Sequence, residues 1–431
     1  MNILYNIGTR AYFLGIKIAA VCGHHKAKQM EEGRRGWAER LRTQVAEVKR
    51  KVGREPRFIW FHAASLGEFE QGRPLIEALR EKYPDYQILQ TFFSPSGYEV
   101  RKNYKGADIV CYLPYDKPAE CRRFLDIVKP ERAIFVKYEF WANILEELAR
   151  RQVPTYLISG IFRQRQAFFK PWGAMLRPVL GNFRHMFVQD EESRRLLATI
   201  GYDRNVTICG DTRFDRVIAI QQQAKHYPWA AEFSKDHFVL VAGSSWPKDE
   251  DILIDHFNRH PEMRLIIAPH EIHEEHIQSI LSKLKRPSIR YSQMKQQWEA
   301  GSVPVETMPA DTDCIIIDAI GFLSSIYRYG QIAYVGGGFG VGIHNTLEAA
   351  VYGMPVVFGP NHTAFREALG LISVKGGFAI CDAATYDTVL ERFMTDESAL
   401  REAGQKAGNY VKAESGATDT IFASLVFGNT E

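Results

Sequence analysis

Hydroxyl and acidic side chains follow an apolar run near the start of the chain, in WFHAASLGEFEQGRP. Ser65, Gly67 and Glu68 lie where a buried strand would end and a helix would begin. In alternating α/β folds this position presents side chains to a ligand. A carboxylate there can act as a general base if its pKa suits the proton that it removes. We therefore predict that Glu68 is catalytic, although it could also simply stabilise the positive end of a helix dipole.

The same segment also resembles the nucleophile elbow of a hydrolase. Ser65 has Gly67 two residues after it, but Ala63 takes the place of the first glycine of that motif. An elbow requires His and Asp partners, and no later segment clearly offers them. A hydrolase is therefore the less favoured interpretation.

Glycines are concentrated in a second candidate site, IAYVGGGFGVGIHNTLEAAVYGMPVVFGP, at residues 332–360. The pattern predicts a strand at Ile332–Val335, a helix from Asn345 to about Gly353, and a strand at Pro355–Phe358. Glycine lets the backbone approach a ligand closely, and a helix start favours an anion such as phosphate. Capping of the helix would be the simpler role for its first polar residues. We predict nucleotide binding by Gly338, Gly340, Gly342, His344, Asn345 and Glu348.

Two further turns carry polar side chains at predicted strand ends. FVKYEFWANIL places Lys137 and Glu139 after a strand, where they could pair with each other or orient a sugar. AGSSWPKDED places Ser244 and Ser245 before a helix, where their hydroxyl groups can donate to a phosphate. Both turns are therefore part of the candidate site.

A histidine cluster in APHEIHEEH suggests a metal site. His270, His273, Glu274 and His276 are close in sequence, but acidic residues are also typical of the first turn of a helix. No set of zinc ligands is evident elsewhere in the sequence. We therefore predict no metal, and count Pro269 and His270 with the candidate ligand-binding residues.

A long segment between Leu148 and Gln189 contains no acidic residue. Aromatic side chains, among them Phe162 and Trp172, are interleaved with its cations, whereas solvated faces usually mix both signs. This pattern suits an anionic, apolar partner such as a phosphorylated lipid. Single-stranded nucleic acid is the competing partner, and we favour the lipid. The cations are Arg150, Arg151, Arg163, Arg165, Lys170, Arg177 and Arg184.

Apolar runs alternate with helical patterns along most of the chain, which predicts an α/β protein with parallel sheets. We expect two Rossmann-like domains, at residues 29–220 and 221–431, with a crevice between them. Strands are predicted at Phe58–His62, Ile88–Phe93, Asp108–Leu113, Ala133–Val136, Pro154–Ile158, His185–Val188 and Val206–Cys209, then at Phe238–Ala242, Leu265–Ala268, Ile289–Tyr291, Cys314–Ile317 and Ile332–Val335.

Length and composition agree with this organisation. The 431 residues suffice for two domains, and 45% hydrophobic with 24% charged residues is typical of a soluble globular protein. The net charge of +3 is too small to imply nucleic acid by itself. Six scattered cysteines without a C-x-x-C motif indicate reduced thiols. A nicotinamide oxidoreductase would have its glycine-rich turn after the first strand. Here the glycines come late in the second half, which disfavours that class of enzyme.

The N-terminal 22 residues are apolar overall but include Asn6, Arg10 and Lys17, which share one stripe of a helix. A helix with two cations in its apolar run is a poor membrane-spanning segment and a better interfacial one. The basic residues that follow suit anionic headgroups. We predict a membrane-associating helix at residues 1–28; an ordinary amphipathic helix is the alternative. The remaining apolar side chains include Ile7, Phe13, Leu14, Ile18 and Val21.

Five motifs together resemble 3-deoxy-D-manno-octulosonic acid (Kdo) transferases, which are inverting glycosyltransferases. HAASLGE, KYEFWAN, GDTRFDR, AGSSWPKDE and GIHNTLEAAVYGMPVVFGP occur in the family's order, and the resemblance covers nearly the whole chain. It implies the GT-B fold, with two Rossmann-like domains facing across a cleft and an N-terminal interfacial helix. One departure is Ala268-Pro269-His270, where the family often has Pro-Arg-His, so an arginine expected at the donor is absent or displaced.

The resemblance implies transfer of Kdo from CMP-Kdo to a lipid A precursor at the cytoplasmic face of the inner membrane, without a cofactor. Glu68 looks like the base, Asn345 and Glu348 look like donor-site residues, and Ser244 and Ser245 lie near the phosphate. The predicted acceptor-binding residues are Lys137, Glu139, Arg163 and Arg165. A UDP-sugar transferase of the same fold, acting on another membrane lipid, is the nearest alternative, and a lipid-binding protein that is not an enzyme would have no use for Glu68.

Overall fold

The computed structural model describes residues 3–302, 304–309, 311–340 and 342–425. The chain divides into two compact units, Met1–Arg216 with Ser415–Glu431, and Val217–Glu414. The second unit therefore ends before residue 431, where the predicted second domain ended, because the last helix lies with the first unit. There the Asp215 carboxylate accepts hydrogen bonds from the backbone N–H groups of Gly416 and Thr418, at 2.6 and 2.7 Å.

Seven strands of the first unit form one parallel sheet. They are β1 (Phe58–Ala63), β2 (Gln87–Phe92), β3 (Ile109–Tyr112), β4 (Arg132–Val136), β5 (Thr155–Gly160), β6 (His185–Val188) and β7 (Val206–Ile208). Their order is β3-β2-β1-β4-β5-β6-β7. All six residues of β1 are buried, as expected for a central strand covered on both faces. The predicted strands of this unit are confirmed, with bounds that differ by at most two residues.

Helices cover both faces of this sheet. They are α1 (Ile3–Val21), α2 (His25–Arg34), α3 (Trp37–Val52), α4 (Leu66–Lys82), α5 (Pro95–Arg101), α6 (Pro118–Val128), α7 (Ala142–Arg150), α8 (Glu191–Ala198), α9 (Thr212–Gln222) and α19 (Ala417–Ser424), with 3-10 helices at Ala167–Phe169 and Pro171–Asn182. Two apolar clusters form the core, one on each face, and Trp60 and Phe61 on β1 belong to opposite clusters.

The second unit has its own seven-stranded parallel sheet. Its strands are β8 (Phe238–Ser245), β9 (Met263–Pro269), β10 (Ser288–Arg290), β11 (Cys314–Ile316), β12 (Ile332–Val335), β13 (Val356–Phe358) and β14 (Gly377–Ala379), in the order β10-β11-β9-β8-β12-β13-β14. Its helices are α10 (Pro228–Ser234), α11 (Pro247–Arg259), α12 (Glu274–Lys283), α13 (Tyr291–Glu299), α14 (Leu323–Ile326), α15 (Leu347–Ala350), α16 (Arg366–Ser373), α17 (Ala383–Thr395) and α18 (Glu397–Ala413).

The helix predicted from Asn345 to Gly353 is wrong in length. Only Leu347–Ala350 is helical, which is a single turn. A helix that short has few aligned peptide dipoles, so a macrodipole cannot be the basis of anion binding here. Strand β14 was not predicted, because its three residues begin with glycine.

Both sheets reverse their strand order next to the first strand of the unit. In the first sheet, β2 and β4 flank β1; in the second, β9 and β12 flank β8. Ligands of open α/β sheets bind at the carboxyl ends of the strands at such a reversal. The turns after β1 and β4 are therefore neighbours, as are the turns after β8 and β12.

Helix α1 packs on the first unit with one face and exposes the other. Phe13 belongs to the packed face: it is only 2% exposed and stacks on Tyr115 with ring centroids 4.3 Å apart. Within the residues described, no helix is both long enough and apolar enough to cross a bilayer. The exposed apolar residues of α1 are Ile3, Leu4, Ile7, Leu14, Ile18 and Val21.

Candidate active site

Glu68 lies in the first turn of α4, directly after the carboxyl end of β1. Its Oε2 accepts a hydrogen bond from the backbone N–H of Ala64 at 2.6 Å. Burial and the neighbouring charge of Glu139 raise the pKa of Glu68 to about 7, against the opposing effects of the Ala64 N–H and of Lys137. A carboxylate with that pKa is suited to accept a proton near neutral pH.

Glu139 comes from the turn after β4, and its side chain is held from two sides. Glu139 is 8% exposed. Its Oε2 accepts hydrogen bonds from His62 Nε2 at 3.0 Å and from Trp141 Nε1 at 2.5 Å. Because a carboxylate only accepts, Nε2 of His62 carries the proton. The other ring nitrogen of His62 contacts the hydroxyl of Thr91 at 2.8 Å. The position of Glu139 is therefore set by buried neighbours on β1 and β2.

Three residues at strand ends have a left-handed backbone. Lys137 follows β4 with φ +67°, and the last residue but one of β5, Ser159, and of β8, Ser244, have φ +50° and +53°. Such conformations cost free energy in residues other than glycine and concentrate at functional sites. They mark the carboxyl edge of each sheet, where the candidate residues lie.

The glycine-rich turn after β12 packs tightly against its neighbours. A Cβ added at Gly336 would lie 2.2 Å from the carbonyl oxygen of Ser244, and one at Gly338 would lie 2.5 Å from Cα of Gly359. Gly337 has φ +92°, which favours glycine. Gly340 differs, because an added Cβ would meet nothing within 4 Å. Packing therefore explains why Gly336 and Gly338 are glycines. It does not explain Gly340, where a side chain would fit within the protein.

Asp249 connects this turn to the end of β8. Its carboxylate is fully buried and accepts hydrogen bonds from the N–H groups of Gly337 (2.8 Å) and Trp246 (2.9 Å) and from the hydroxyl of Tyr334 (2.7 Å). The amides of Gly338 and Phe339 have no hydrogen-bond partner within the described parts of the chain. The turn therefore presents backbone donors while its base is held rigidly.

Ser244 and Ser245 have different environments. Ser245 is fully buried and its hydroxyl donates to Glu250 at 2.9 Å, so its contact with a phosphate remains a prediction that this hydrogen bond does not favour. The Ser244 hydroxyl, in contrast, makes no hydrogen bond to any residue that the structure describes. Ser244 remains a candidate phosphate ligand.

Three aromatic rings stack beside the turn. The His270 ring stacks on both Trp246 and His344, with centroid distances of 4.7 and 4.5 Å. Trp246 Nε1 donates to His344 Nε2 at 3.1 Å, which leaves Nδ1 of a neutral His344 as the proton carrier. Burial and the neighbouring His270 lower the pKa of His344 and favour that neutral form. Pro269, which pairs with Ser245 at the end of β9, is buried.

Asn345 and Glu348 contact each other after the turn. Asn345 Nδ2 donates to Glu348 Oε1 at 3.0 Å, and Asn345 Oδ1 accepts from the N–H of Leu347 at 3.2 Å. Both side chains are half-buried. The geometry agrees with the capping role considered from the sequence, and their predicted contact with a donor remains a prediction.

The histidine cluster is largely explained by internal hydrogen bonds. Glu271, His273 and His276 place ligand-type atoms within 4.8 Å of one another. However, His276 uses Nδ1 toward the carbonyl of Glu271 at 2.8 Å and Nε2 toward Glu250 at 2.9 Å. Glu274 binds Arg290 at 2.8 and 2.9 Å. His276 thus has no ring nitrogen left for an ion.

The basic segment divides into paired and unpaired cations. Arg150 and Arg151 form ion pairs with Glu147, and Arg177 donates to the carbonyl of Phe168. These three guanidinium groups therefore already have partners within the protein. Arg163, Arg165 and Lys170 make no ion pair within the described residues, and they follow β5, the strand next to β4.

Four residues of this site were not found from the sequence. They are His62, Thr91, Trp141 and Asp249. A polar residue inside a buried apolar strand was the available signal for His62, since such a group needs a partner. Thr91 contacts His62, and Asp249 contacts Gly337, because distant strands pair, which local patterns do not specify.

Solved structures with this arrangement of sheets support the fold class. UDP-GlcNAc 2-epimerase from Neisseria meningitidis matches with a TM-score of 0.57 at 14% identity, over 85% of this chain and 100% of that one. MurG from Acinetobacter baumannii matches with a TM-score of 0.53 at 11% identity, over 85% and 100%. Such low identity shows the fold alone. Two Rossmann-like units with these neighbours define a GT-B protein.

Sequence relatives are more specific. Residues 35–216 match the family model of 3-deoxy-D-manno-octulosonic-acid transferase. The 3-deoxy-D-manno-octulosonic acid transferase of Haemophilus influenzae is 26% identical over 82% of both chains, and that of Aquifex aeolicus is 28% identical over 80% of this chain and 88% of its own. By both comparisons the chain is similar to this family of glycosyltransferases, which is the family that its motifs resemble.

Proposed function

We propose that this chain transfers Kdo from CMP-Kdo to a hydroxyl group of a lipid A precursor, with inversion at the anomeric carbon. The observation that carries the proposal is the Glu68 carboxylate, which lies at the strand-order reversal with a pKa of about 7. The relatives from Haemophilus influenzae and Aquifex aeolicus, both named as Kdo transferases, support this choice of substrates.

Glu68 acts as the general base in the proposed reaction. It removes the proton of the acceptor hydroxyl while that oxygen attacks the anomeric carbon of Kdo. The new carbon–oxygen bond forms on the face opposite the bond to CMP, which breaks, and CMP leaves as an anion. Lys137, which lies near enough to lower the pKa of Glu68, helps to orient the acceptor.

The second unit supplies the donor site in this proposal. The amides of Gly338 and Phe339 and the hydroxyl of Ser244 stabilise the charge that develops on the departing phosphate. Asn345, Glu348, His270 and the Nδ1–H of His344 contribute further contacts with CMP-Kdo. CMP-Kdo has a single phosphate, so no divalent ion is needed to bridge a diphosphate.

The acceptor is an anionic lipid, and the surface of the first unit suits it. Arg163 and Arg165 are exposed and unpaired in the described chain, so they are available for lipid phosphates. The exposed apolar side chains of α1 would lie in the interface of the cytoplasmic face of the inner membrane. A groove of about 400 Å³ beside α1, lined by Tyr5, Met175 and Val179 among others, is wide enough for acyl carbons.

A transfer assay tests the proposal. The purified chain is incubated with CMP-Kdo and a tetra-acylated lipid A precursor in detergent, and the product is weighed by mass spectrometry. We expect a mass gain of one or more Kdo units, loss of turnover in Glu68→Gln, and unchanged turnover in Glu81→Gln, a matched exposed glutamate on the same helix. Equal turnover by Glu68→Gln would contradict the base assignment.

A donor comparison separates the nearest alternative. UDP-GlcNAc replaces CMP-Kdo in the same assay, with the same acceptor and with a second membrane lipid. Transfer from the UDP-sugar without transfer from CMP-Kdo would favour a UDP-sugar transferase of this fold.

A further inference from the structure

Helix α1 is hydrogen-bonded to the start of α7. Tyr5 donates to Oδ2 of Asp116 at 2.6 Å and accepts from the backbone N–H of Ala142, the first residue of α7, at 3.0 Å. Nearby, Asn143 Nδ2 donates to Oδ1 of Asn6 at 3.0 Å. The N-terminal helix is therefore hydrogen-bonded to the helix that follows the Glu139 turn.

Asp116 extends this connection. It is 2% exposed, and its carboxylate also accepts from the backbone N–H groups of Asn143 at 3.1 Å and Ile144 at 2.9 Å. The first turn of a helix needs such acceptors for its unpaired N–H groups. Tyr5 and Asp116 together cap α7, although they come from positions more than 100 residues apart in the chain.

A second contact reaches the site more directly. Phe13 of α1 lies 6.2 Å from Trp141 between ring centroids, with an interplanar angle of 24°, and Phe93 packs on the same indole at 4.7 Å. The Nε1–H of that indole donates to Glu139 at 2.5 Å. Trp141 is thus held between the aromatic side chains behind it and the carboxylate in front of it.

We infer that Tyr5 and Phe13 are positioning residues for the reaction. They hold Trp141 and the start of α7, and thereby hold the Glu139 carboxylate beside Glu68. Helix α1 therefore has two roles in this inference. Its packed face helps to position the Glu139 carboxylate beside the base Glu68, and its exposed face is a candidate membrane contact. This inference rests on the proposed function, since it concerns the base of that reaction.

Full-length Phe13→Ala and Tyr5→Phe variants test the inference in detergent, where membrane binding does not limit the rate. The substrates are CMP-Kdo and the lipid A precursor. We expect kcat to fall about tenfold, because small displacements of catalytic groups are costly, and KM for CMP-Kdo to stay unchanged. Gly8→Ala is the matched control on α1: an added Cβ there meets nothing within 4 Å, so turnover should not change.

The pH profile distinguishes positioning from general loss of structure. When Glu139 moves away, Glu68 loses a neighbouring negative charge and gains water, so the acidic limb of kcat should move to lower pH. The charged and titratable groups facing Glu139 are Glu68, Lys137 and His62. If Tyr5 and Phe13 only stabilise the fold, their variants should lower kcat without shifting the acidic limb of the pH profile. That outcome would overturn the inference.

A double-variant cycle identifies the intermediary. If Phe13 acts through Glu139, then Phe13→Ala adds little to the effect of Glu139→Gln, whereas independent roles would give multiplied losses and refute the inference. Carboxyl ¹³C NMR titration of Glu68 in the wild type and in Phe13→Ala gives a readout without turnover. Absence of Kdo transfer by the wild type would refute the proposed function, and the titration would still decide this inference.

Discussion

Glu68 illustrates how the environment of one side chain decides its chemistry. The carboxylate accepts a backbone hydrogen bond from Ala64, which favours its charged form, but burial and the charge of Glu139 oppose this effect and prevail. The result is a carboxyl group that titrates near neutral pH. The identity of the residue could be read from the sequence, whereas its pKa depends on a neighbour 71 positions away in the chain.

The rate should therefore depend on pH through Glu68. Its pKa is raised to about 7, so the base is protonated and inactive below that pH and becomes active as the pH rises through it. We expect kcat/KM to increase about tenfold per pH unit well below pH 7 and to level off above it. A profile that levels off near pH 4.5, the ordinary range of a glutamate, would contradict this assignment.

Gly340 and Gly338 should respond differently to alanine. Because an added Cβ at Gly340 meets open space, Gly340→Ala should leave the thermal midpoint unchanged and raise KM for CMP-Kdo if the donor lies there. Gly338→Ala is the contrasting variant, since its Cβ would collide with Gly359, and it should lower the midpoint. Unchanged KM in Gly340→Ala would mean that the donor does not approach this glycine.

Among the secondary-structure elements, helix α11 has a task beyond covering the sheet. Its Asp249 binds the backbone of the glycine-rich turn after β12 and the N–H that begins its own helix. Three hydrogen bonds to a fully buried carboxylate offset its desolvation. The short helix α15 could not hold the turn in this way, because it has only four residues.

Asp249→Asn should loosen the turn. The substitution replaces an acceptor that takes three hydrogen bonds with an amide that leaves a buried donor unsatisfied, at a cost of about 1–3 kcal/mol in the free energy of unfolding. We expect weaker CMP binding by calorimetry as well. Asp255→Asn, at an exposed position of the same helix, should change neither quantity, and an equal response from both variants would contradict the role of Asp249.

Helix α1 should bind vesicles through its exposed stripe. Replacing Leu14 and Ile18 with Gln removes two apolar side chains, each 56–57% exposed in the protein. Burying such a side chain is worth about 1.5–3 kcal/mol, so co-sedimentation with anionic vesicles should weaken at least about tenfold. Val100→Gln, an equally exposed apolar site on α5, is the control, and the same loss there would locate the contact elsewhere.

For the molecule as a whole, two units with separate apolar cores divide the work that the proposed reaction requires. The first unit contains Glu68, Glu139, Arg163 and Arg165, and the second contains the glycine-rich turn. The described residues also include one group of metal-type side chains, Glu271, His273 and His276, whose hydrogen bonds are largely internal.

Transfer should therefore be insensitive to EDTA. The proposed donor has one phosphate, and the amides of the turn, rather than a cation, are assigned to its departing charge. Turnover measured with and without EDTA should agree within error. A loss that is restored by a divalent ion would contradict this expectation, and a Glu271→Gln variant would show whether the histidine cluster is responsible.

Local patterns in the sequence were sufficient for the strand–turn–helix units. Buried parallel strands are continuous apolar runs, so β1, β4, β8 and β12 were predicted within a few residues, and Glu68 was placed correctly at the end of β1. Local patterns failed where distant contacts decide the structure. The helix after Asn345 is a single turn, although the local pattern predicted that it continues to about Gly353.

The amino-acid order alone determined the succession of elements and which side chains stand at their ends, because hydrophobic periodicity and turn residues act over short distances. Only the folded chain decided that β4 pairs with β1, and hence that Glu139, Trp141 and α1 converge on Glu68. The physical reason is that strand pairing and burial are set by contacts between segments far apart in the chain, and the charge and pKa of a buried group follow from them.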